Sequence, residues 1–224
     1  MNAMTEHRPD SVLHTWGNDH DYLPAAGRDF LLPGYDLLAR LLGFGPIYDA
    51  LVAQADLDCA DAILEIGSGT GNLTVRAHRV APAARLTATD PDPKALERAR
   101  RKVGSAGVQL QVAYAQRLPF ADNTFDRVLS SMMLHHLDDD AKTAALGEAF
   151  RVLQPGGRFH IVDVGGRDHR EGLLSRISGH DHGRAADRLP EMIRGAGFDC
   201  AVLATRHVRL TGPVTFYQAT RPTG

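Results

Sequence analysis

The sequence predicts an α/β protein with a doubly wound, mostly parallel sheet. Short apolar segments alternate with helical segments along most of the chain. Residues 62–74 read Ala-Ile-Leu-Glu-Ile-Gly-Ser-Gly-Thr-Gly-Asn-Leu-Thr, so an apolar, partly β-branched run meets three glycines at alternate positions. A second apolar run ends in an acid, Asp90, roughly twenty residues further on. A strand, a glycine turn and a helix in this order are typical of the nucleotide-binding corner of such a sheet.

Length and composition indicate one domain without a broad charged surface. The chain has 224 residues and a formal charge of −2. This balance argues against a nucleic-acid partner. Two cysteines far apart, Cys59 and Cys200, form neither a disulfide framework nor a cysteine zinc site. We find no signal pattern or membrane-spanning apolar run, so we expect a cytoplasmic protein that does not bind membranes and acts as a monomer or homodimer.

The N-terminal part divides into a polar tail and a pair of helices. Residues 1–28 are the predicted tail, and residues 29–224 the single domain. Apolar residues at helical spacing predict helices within 29–56, interrupted at Gly43-Phe-Gly-Pro46, with Pro46 in the first turn of the second helix. Trp16, Tyr22 and Tyr35 could pack on the domain or lie over a ligand.

The middle of the chain predicts alternating strands and helices. The predicted strands are 63–66, 86–90, 108–112, 127–131 and 158–164, and the helices between them are 73–80, 93–102 and 141–153. Asp138-Asp-Asp140 precedes the last helix, where acids oppose the positive end of the helix dipole. Gln154-Pro-Gly-Gly157 should end it.

The C-terminal part predicts a helix and a strand pair after an undefined segment. Residues 165–188 show no clear period and are predicted as a variable insertion near the acceptor site. A helix over 189–196 should end at Gly197. Strands over 200–208 and 214–220 should then flank a turn at Gly212-Pro213.

The glycine turn is suited to a bound ligand. Glycine lacks a Cβ, so the backbone can turn tightly and approach the ligand, and the N–H groups of the next helix would face it. A dinucleotide fingerprint would have a glycine at position 72, where this chain has Asn72. Asp90 could accept hydrogen bonds from a ribose diol. The alternatives are a tight turn without a ligand and an Asp90 that only caps the next helix, with Pro91 and Pro93 shaping the turn.

Several motifs occur together in a fixed order. They are Leu64-Glu-Ile-Gly-Ser-Gly-Thr-Gly71, Asp90, Leu118-Pro-Phe120, Asp122-Asn-Thr-Phe-Asp126, Leu134-His-His-Leu137 and Arg151-Val-Leu-Gln-Pro-Gly-Gly157. Over about residues 30–220 the set resembles the small class I S-adenosylmethionine (SAM)-dependent methyltransferases, the broad group related to ubiquinone and menaquinone methyltransferases. The resemblance implies a Rossmann-like, mostly parallel seven-stranded sheet with a C-terminal antiparallel strand pair and N-terminal capping helices. It also implies SAM as cofactor, S-adenosylhomocysteine as product and a small-molecule acceptor.

The resemblance also implies roles for individual residues. Glu65 would support the amino-group end of the cofactor, Asp90 would take the ribose hydroxyls and Pro91 would lie against adenine. Tyr114-Ala115 stands where the family commonly has Asp-Ala, so tyrosine would hydrogen-bond or stack in place of the carboxylate. The residues expected around the methionine part, or where the methionine amine meets the acceptor, are Gly67, Ser68, Gly69, Gly71, Ser130 and Ser131.

Two histidines are the candidate catalytic residues. His135 and His136 follow the fourth strand, and an imidazole could take a proton from a poor nucleophile such as a phenol or alcohol. Alternatively, one stabilises the following turn and the other packs. His180-Asp-His182 could line the acceptor pocket, but a metal site would need a third ligand that we cannot identify, so no metal is expected. His169 has no assigned role.

Three other functions remain possible at this point. Asn72 and the later motifs argue against an NAD-dependent oxidoreductase. A SAM-binding module without transferase activity would carry the same cofactor motifs. A protein or RNA acceptor is disfavoured because the chain has no basic stripe and no recognition domain.

Overall fold

The computed structural model describes residues 44–104, 107–165, 182–208 and 212–224, with the backbone alone for 182–187. Within these residues the helices are α1 (Gly45–Gln54), α2 (Asn72–Val80), α3 (Pro93–Val103), α4 (Asp139–Val152) and α5 (His182–Gly195). The strands are β1 (Ala62–Ile66), β2 (Arg85–Asp90), β3 (Gln109–Val112), β4 (Phe125–Ser131), β5 (Leu153–Val164), β6 (Asp199–Val208) and β7 (Gly212–Thr220). Short 3₁₀ turns occur at Leu57–Cys59 and Leu134–His136.

The strands form one seven-stranded sheet in the order β3-β2-β1-β4-β5-β7-β6. The pairs among β1 to β5 are parallel, and β7 is antiparallel to both β5 and β6. This topology confirms the predicted doubly wound sheet with its antiparallel C-terminal pair. The strand order reverses between β1 and β4, and ligands of open α/β sheets bind at such a switch point, beyond the carboxyl ends of the strands.

Two apolar layers cover the sheet. Ala62, Leu64 and Ile66 of β1 pack in the layer that includes α4 and α5, whereas Ile63 packs in the layer that includes α1 and α2. All five β1 residues are buried, as a central parallel strand requires. Because side chains alternate along a strand, Glu65 lies on the same side as Ile63 and faces α2.

Two local predictions at helix starts are confirmed. The helix after Gly43 begins at Gly45 with Pro46 in its first turn. Asp138 caps α4, because its Oδ1 accepts a hydrogen bond of 2.8 Å from the Ala141 N–H.

Three predicted boundaries are wrong. Strand β5 begins at Leu153, not Arg158, because Leu153 already pairs with Phe125 across a register shift in β4. Gly212 and Pro213 belong to β7 and pair with Val208 and His207, so the turn does not lie at these two residues. Helix α5 begins at His182, so the end of the segment 165–188 is helical.

Several predictions lie outside the described residues. They concern the tail 1–28, the first N-terminal helix and most of the segment 165–188, with Trp16, Tyr22, Tyr35, His169 and His180. Among the helices that the structure describes, none combines the length and apolarity that a membrane span requires.

Candidate active site

The glycine loop, residues 67–71, connects β1 to α2. Gly67 has φ +75° and Gly71 has φ +81°, the left-handed region that favours glycine. Space is restricted as well: a Cβ on Gly67 would lie 2.4 Å from Met133 Cγ, and one on Gly71 would lie 2.8 Å from the Ala99 Cβ. The loop is therefore enclosed between α3 and the chain that leaves β4, and both glycines are required there.

Hydrogen bonds from β2 and α3 fix this loop. The backbone N–H groups of Gly67 and Ser68 each donate to the Thr89 carbonyl at 2.9 Å. From the other side, Lys102 Nζ donates to Thr70 Oγ1 at 3.0 Å and to Asn72 Oδ1 at 2.9 Å. The loop is thus held in one conformation by contacts that do not require a ligand.

Asp90 lies at the carboxyl end of β2 and braces the glycine loop. Its Oδ2 accepts from the Gly69 N–H at 2.7 Å, and its Oδ1 accepts from the Asp92 N–H at 2.9 Å. The cap of α3 is Asp92, whose Oδ1 accepts from the Lys94 N–H at 2.8 Å, so the alternative of Asp90 as that cap is wrong. An ionised carboxylate can accept about four hydrogen bonds, which leaves capacity for a ribose diol.

Glu65 is a second buried carboxyl group near the loop. It is only 2% exposed, and its Oε2 accepts a 2.6 Å hydrogen bond from the Thr74 hydroxyl of α2. Burial raises the pKa of Glu65 to about 8 against the effect of Thr74, and nearby Asp90 raises it further. Burial likewise raises the pKa of Asp90 to about 6, although the Asp92 and Gly69 N–H groups oppose this. A cationic ligand would balance the negative charge of these two carboxylates, whereas a pyrophosphate would be repelled once they ionise.

Three buried hydroxyls lie at the same edge of the sheet. Within the described part of the chain, the hydroxyls of Ser68, Ser130 and Ser131 have no hydrogen-bond partner. Ser68 belongs to the glycine loop, and the other two end β4, which pairs with β1. Buried polar atoms in proteins are nearly always paired, so these hydroxyls suit the polar groups of a ligand at this edge, with Ser130 and Ser131 on opposite faces of β4.

The predicted adenine contacts follow β2 and β3. Pro91 follows Asp90 and is partly exposed, Tyr114 is 36% exposed and Ala115 is buried. Tyr114 forms an isolated β-bridge with Arg117, which closes the turn after β3. All three residues lie at the edge that carries Asp90, and their roles in binding stay predictions.

The two histidines lie in the 3₁₀ turn Leu134–His136 after β4, and His136 is exposed. The rings of His135 and His136 are 3.9 Å apart between centroids. His135 Nδ1 lies 2.5 Å from Oδ1 of Asp163, a residue near the end of β5 that the sequence analysis did not identify. The sequence does show Asp163 near the carboxyl end of a predicted strand. Its pairing with His135, however, depends on the tertiary structure.

The motifs around Leu118 and Arg151 are structural. Arg151 donates to the carbonyls of Phe120 at 2.7 Å and Leu118 at 3.1 Å. It also binds Glu148, whose Oε2 accepts from the Leu118 N–H at 2.7 Å. The hydrogen bond from Arg151 lowers the pKa of Glu148. Helix α4 therefore holds the loop before β4 in place.

No metal site is found in the described ranges, where no three His, Cys, Asp or Glu side chains are grouped to hold an ion. The candidate site consists of a hydrogen-bonded glycine loop, two buried carboxyls, three unpaired hydroxyls and a His–Asp pair.

Comparison with known proteins identifies the domain. Residues 63–157 match the family model described as a methyltransferase domain. The ubiquinone/menaquinone biosynthesis C-methyltransferase UbiE of Desulfotalea psychrophila is 35% identical over 139 residues, which cover 61% of this chain and 56% of that protein. The demethylmenaquinone methyltransferase of Thermus thermophilus is 38% identical over 138 residues, covering 59% and 62%. The chain thus spans little more than half the length of these curated relatives.

A solved structure supports the fold. Phosphoethanolamine N-methyltransferase 2 of Haemonchus contortus, in complex with phosphomonomethylethanolamine and S-adenosylhomocysteine, has a TM-score of 0.69 at 17% identity, covering 87% of this chain and 60% of that one. Residues 63–157 are therefore a SAM-dependent methyltransferase domain, and the chain is similar to the ubiquinone and menaquinone methyltransferases. The site fits this cofactor, because its buried carboxyls and unpaired hydroxyls suit a ligand with cationic groups and hydroxyls.

Proposed function

We propose that this protein transfers a methyl group from SAM to a small-molecule acceptor. The observation that carries the proposal is the set of Glu65, Asp90 and the unpaired hydroxyls around a preformed glycine loop. When bound, SAM supplies a methyl group already activated by a sulfonium. The protein's contribution is then mainly to align donor and acceptor and to exclude water, and alignment alone can supply roughly 7–11 kcal/mol in favourable cases.

Each cofactor residue has an assigned task in this proposal. Glu65 would bind the amino group of the methionine part, where a cation favours its ionised form. Asp90 would accept from the ribose hydroxyls with the lone pairs that Gly69 and Asp92 leave free. Pro91, Tyr114 and Ala115 would contact adenine. The residues proposed for the methionine part and the methyl-transfer region are Gly67, Ser68, Gly69, Gly71, Ser130 and Ser131.

The names of the relatives support a quinone-type acceptor. The Desulfotalea relative is named as a C-methyltransferase of ubiquinone and menaquinone biosynthesis. We therefore propose a ring-hydroxylated aromatic compound as the acceptor class. A small molecule also agrees with the near-neutral charge of the chain, which offers no cationic stripe for RNA.

Titration calorimetry tests the cofactor site. S-adenosylhomocysteine should bind the wild type with micromolar affinity, and Asp90→Asn should bind it about tenfold or more weakly, since a hydrogen bond to a charged group is worth roughly 1.5–3 kcal/mol. Asparagine keeps the shape and one acceptor oxygen, so it can retain one of the two bonds from the Gly69 and Asp92 N–H groups, whereas alanine removes both. The matched control is Asp199→Asn on the exposed edge strand β6, which should bind like the wild type.

Two outcomes would reject the proposal or restrict it. Binding of NAD in place of S-adenosylhomocysteine would reject the methyltransferase function. Binding of SAM without its conversion to S-adenosylhomocysteine, across quinols, phenols and amines, would leave a SAM-binding module.

A further inference from the structure

Asp163 is a buried carboxylate that the proposed cofactor site does not use. It is 1% exposed, near the end of β5. Its Oδ2 accepts from the Leu134 N–H at 2.8 Å and the His135 N–H at 3.3 Å. Its Oδ1 accepts from the Val164 N–H at 2.7 Å and lies 2.5 Å from His135 Nδ1. Asp163 therefore binds both the backbone of the 3₁₀ turn and the imidazole on it.

These contacts define which nitrogen of His135 carries the proton. Burial alone would raise the pKa of Asp163, but His135 and the Val164 N–H hold it below its ordinary value. An ionised carboxylate can only accept hydrogen bonds, so Nδ1 must be the protonated nitrogen of a neutral His135. The other nitrogen, Nε2, then has a free lone pair.

The pair lies close to the glycine loop. A Cβ on Gly67 would lie 2.4 Å from Met133 Cγ, so the Met133 side chain lies directly against the loop. His135 is two residues further along the chain, so its Cα lies within about 7 Å of the Met133 Cα. Met132 has φ +55°, which turns the chain sharply at the end of β4 and directs the following residues along this edge.

We propose, building on the proposed function, that Asp163 is a positioning residue that holds His135 as the Nδ1–H tautomer, so that Nε2 is the general base for an acceptor that loses an O–H proton. This selects phenols, enols and quinols over neutral amines and thioethers, whose lone pair attacks without prior loss of a proton. His136, the next residue, is exposed.

The step is balanced in protons and electrons. His135 Nε2 takes the acceptor's O–H proton while an electron pair of the acceptor, on oxygen or on the conjugated ring carbon, forms the bond to the methyl carbon. The sulfur–methyl bond breaks and its electron pair stays on sulfur, which becomes a neutral thioether. For attack through carbon, the methylated ring carbon then loses its C–H proton to solvent, the ring regains aromaticity as a phenolate, and the imidazolium returns its proton to that oxygen. For attack through oxygen, the imidazolium gives its proton to solvent.

The tautomer can be measured without an acceptor. Long-range ¹H–¹⁵N spectra of the wild-type protein should show a protonated Nδ1 and an unprotonated Nε2 for His135, assigned by comparison with His135→Gln. A proton on Nε2 of the neutral ring would overturn the inference. This measurement needs only the folded wild type and one variant at a partly exposed position.

Turnover then separates positioning from a structural role. With SAM and 1,4-dihydroxynaphthalene as a quinol probe, Asp163→Asn and His135→Gln should each lower kcat by about 100-fold, within the usual contribution of a general base. Both should bind S-adenosylhomocysteine like the wild type. In the His135→Gln background, Asp163→Asn should cause little further loss, because the carboxylate acts through His135.

Failure of this inference can be distinguished from failure of the proposed function. An equal loss from Asp163→Asn in both backgrounds would show a merely structural role and overturn the inference. Binding of S-adenosylhomocysteine by a wild type that does not turn over the quinol, but does methylate an amine, would overturn the acceptor class. Loss of S-adenosylhomocysteine binding in the wild type itself would contradict the proposed function instead.

Discussion

Gly71 lies so close to Ala99 that an added Cβ would stand 2.8 Å from the Ala99 Cβ and 3.0 Å from its Cα. Helix α3 therefore packs directly against the backbone of the glycine loop. The positive φ of Gly71 adds a conformational reason for glycine at the same position. Contact and conformation together make this residue a sensitive test of the loop.

Gly71→Ala should destabilise the protein and impair cofactor binding. A left-handed alanine costs about 1–2 kcal/mol, and the displaced α3 backbone adds to that cost. We expect a lower free energy of unfolding in urea and loss of measurable S-adenosylhomocysteine binding. Gly147→Ala is the control, because Gly147 is an exposed glycine inside α4 with open space around it and alanine should stabilise that helix by up to about 1 kcal/mol. Equal effects of both substitutions would contradict the assigned role of Gly71.

Lys102→Met should weaken cofactor binding without changing any residue that contacts the ligand in the proposal. The substitution removes the hydrogen bonds from Nζ to Thr70 and Asn72 that join α3 to the glycine loop. A more mobile loop must be ordered on binding, so we expect the Kd of S-adenosylhomocysteine to rise about tenfold, or about 1.4 kcal/mol. Calorimetry of Arg101→Met provides the control, since Arg101 is exposed and pairs with Glu97 on the same helix. An unchanged Kd in Lys102→Met would show that the loop does not need this contact.

Glu65→Gln should change how stability depends on pH. The folded pKa of Glu65, about 8, exceeds its ordinary value of 4.5, so the folded protein holds a proton that the unfolded chain releases in this range. Without ligand, this group's contribution to stability is therefore complete below pH 4.5 and is lost as the pH rises to about 8, at up to about 1.4 kcal/mol per pH unit. Glutamine keeps an acceptor for Thr74 and does not titrate. Thermal unfolding between pH 5 and 8 should thus show the wild type losing stability relative to Glu65→Gln, and parallel curves would refute the buried, protonated state.

The part of the site that follows from local sequence was predictable. Two patterns could be interpreted locally: the glycines at alternate positions after an apolar run, and the acid that ends the next apolar run. Both depend on backbone rules that act within a few residues. The strand order then brings Gly67, Asp90 and Ser130 to one edge, because parallel strands share their carboxyl ends. These features needed only the correct order of strands and helices.

The errors come from non-local pairing. Gly212-Pro213 is typical of a turn, but pairing with β6 takes it into the sheet. Likewise, Leu153, before the turn-like Gln154-Pro-Gly-Gly157, already pairs with Phe125 of β4. Asp163 was missed for the same reason, because its link to His135 is made by the pairing of β4 with β5, where Ser131 lies opposite Val162. Local patterns do not define which acid lies beside which histidine.

His160→Leu should stabilise the protein, and more so in acid. His160 lies in β5, is 0% exposed, and neither ring nitrogen has a hydrogen-bond partner in the ranges that the structure describes. Burial, together with Arg127 and Arg158, lowers the pKa of His160 to about 4. The unfolded chain therefore binds a proton between about pH 6.5 and 4 that the folded protein does not, so the wild type loses stability as the pH falls through this window. Leucine removes both the unpaired polar atoms and the titration.

Urea unfolding at pH 7.5 and pH 5 tests this substitution. His160→Leu should raise the free energy of unfolding by about 1–3 kcal/mol at neutral pH, and by more at pH 5. His207→Leu on the exposed part of β6 is the control, and a gain for His160→Leu that does not change with pH would show that its imidazole is not held neutral by burial.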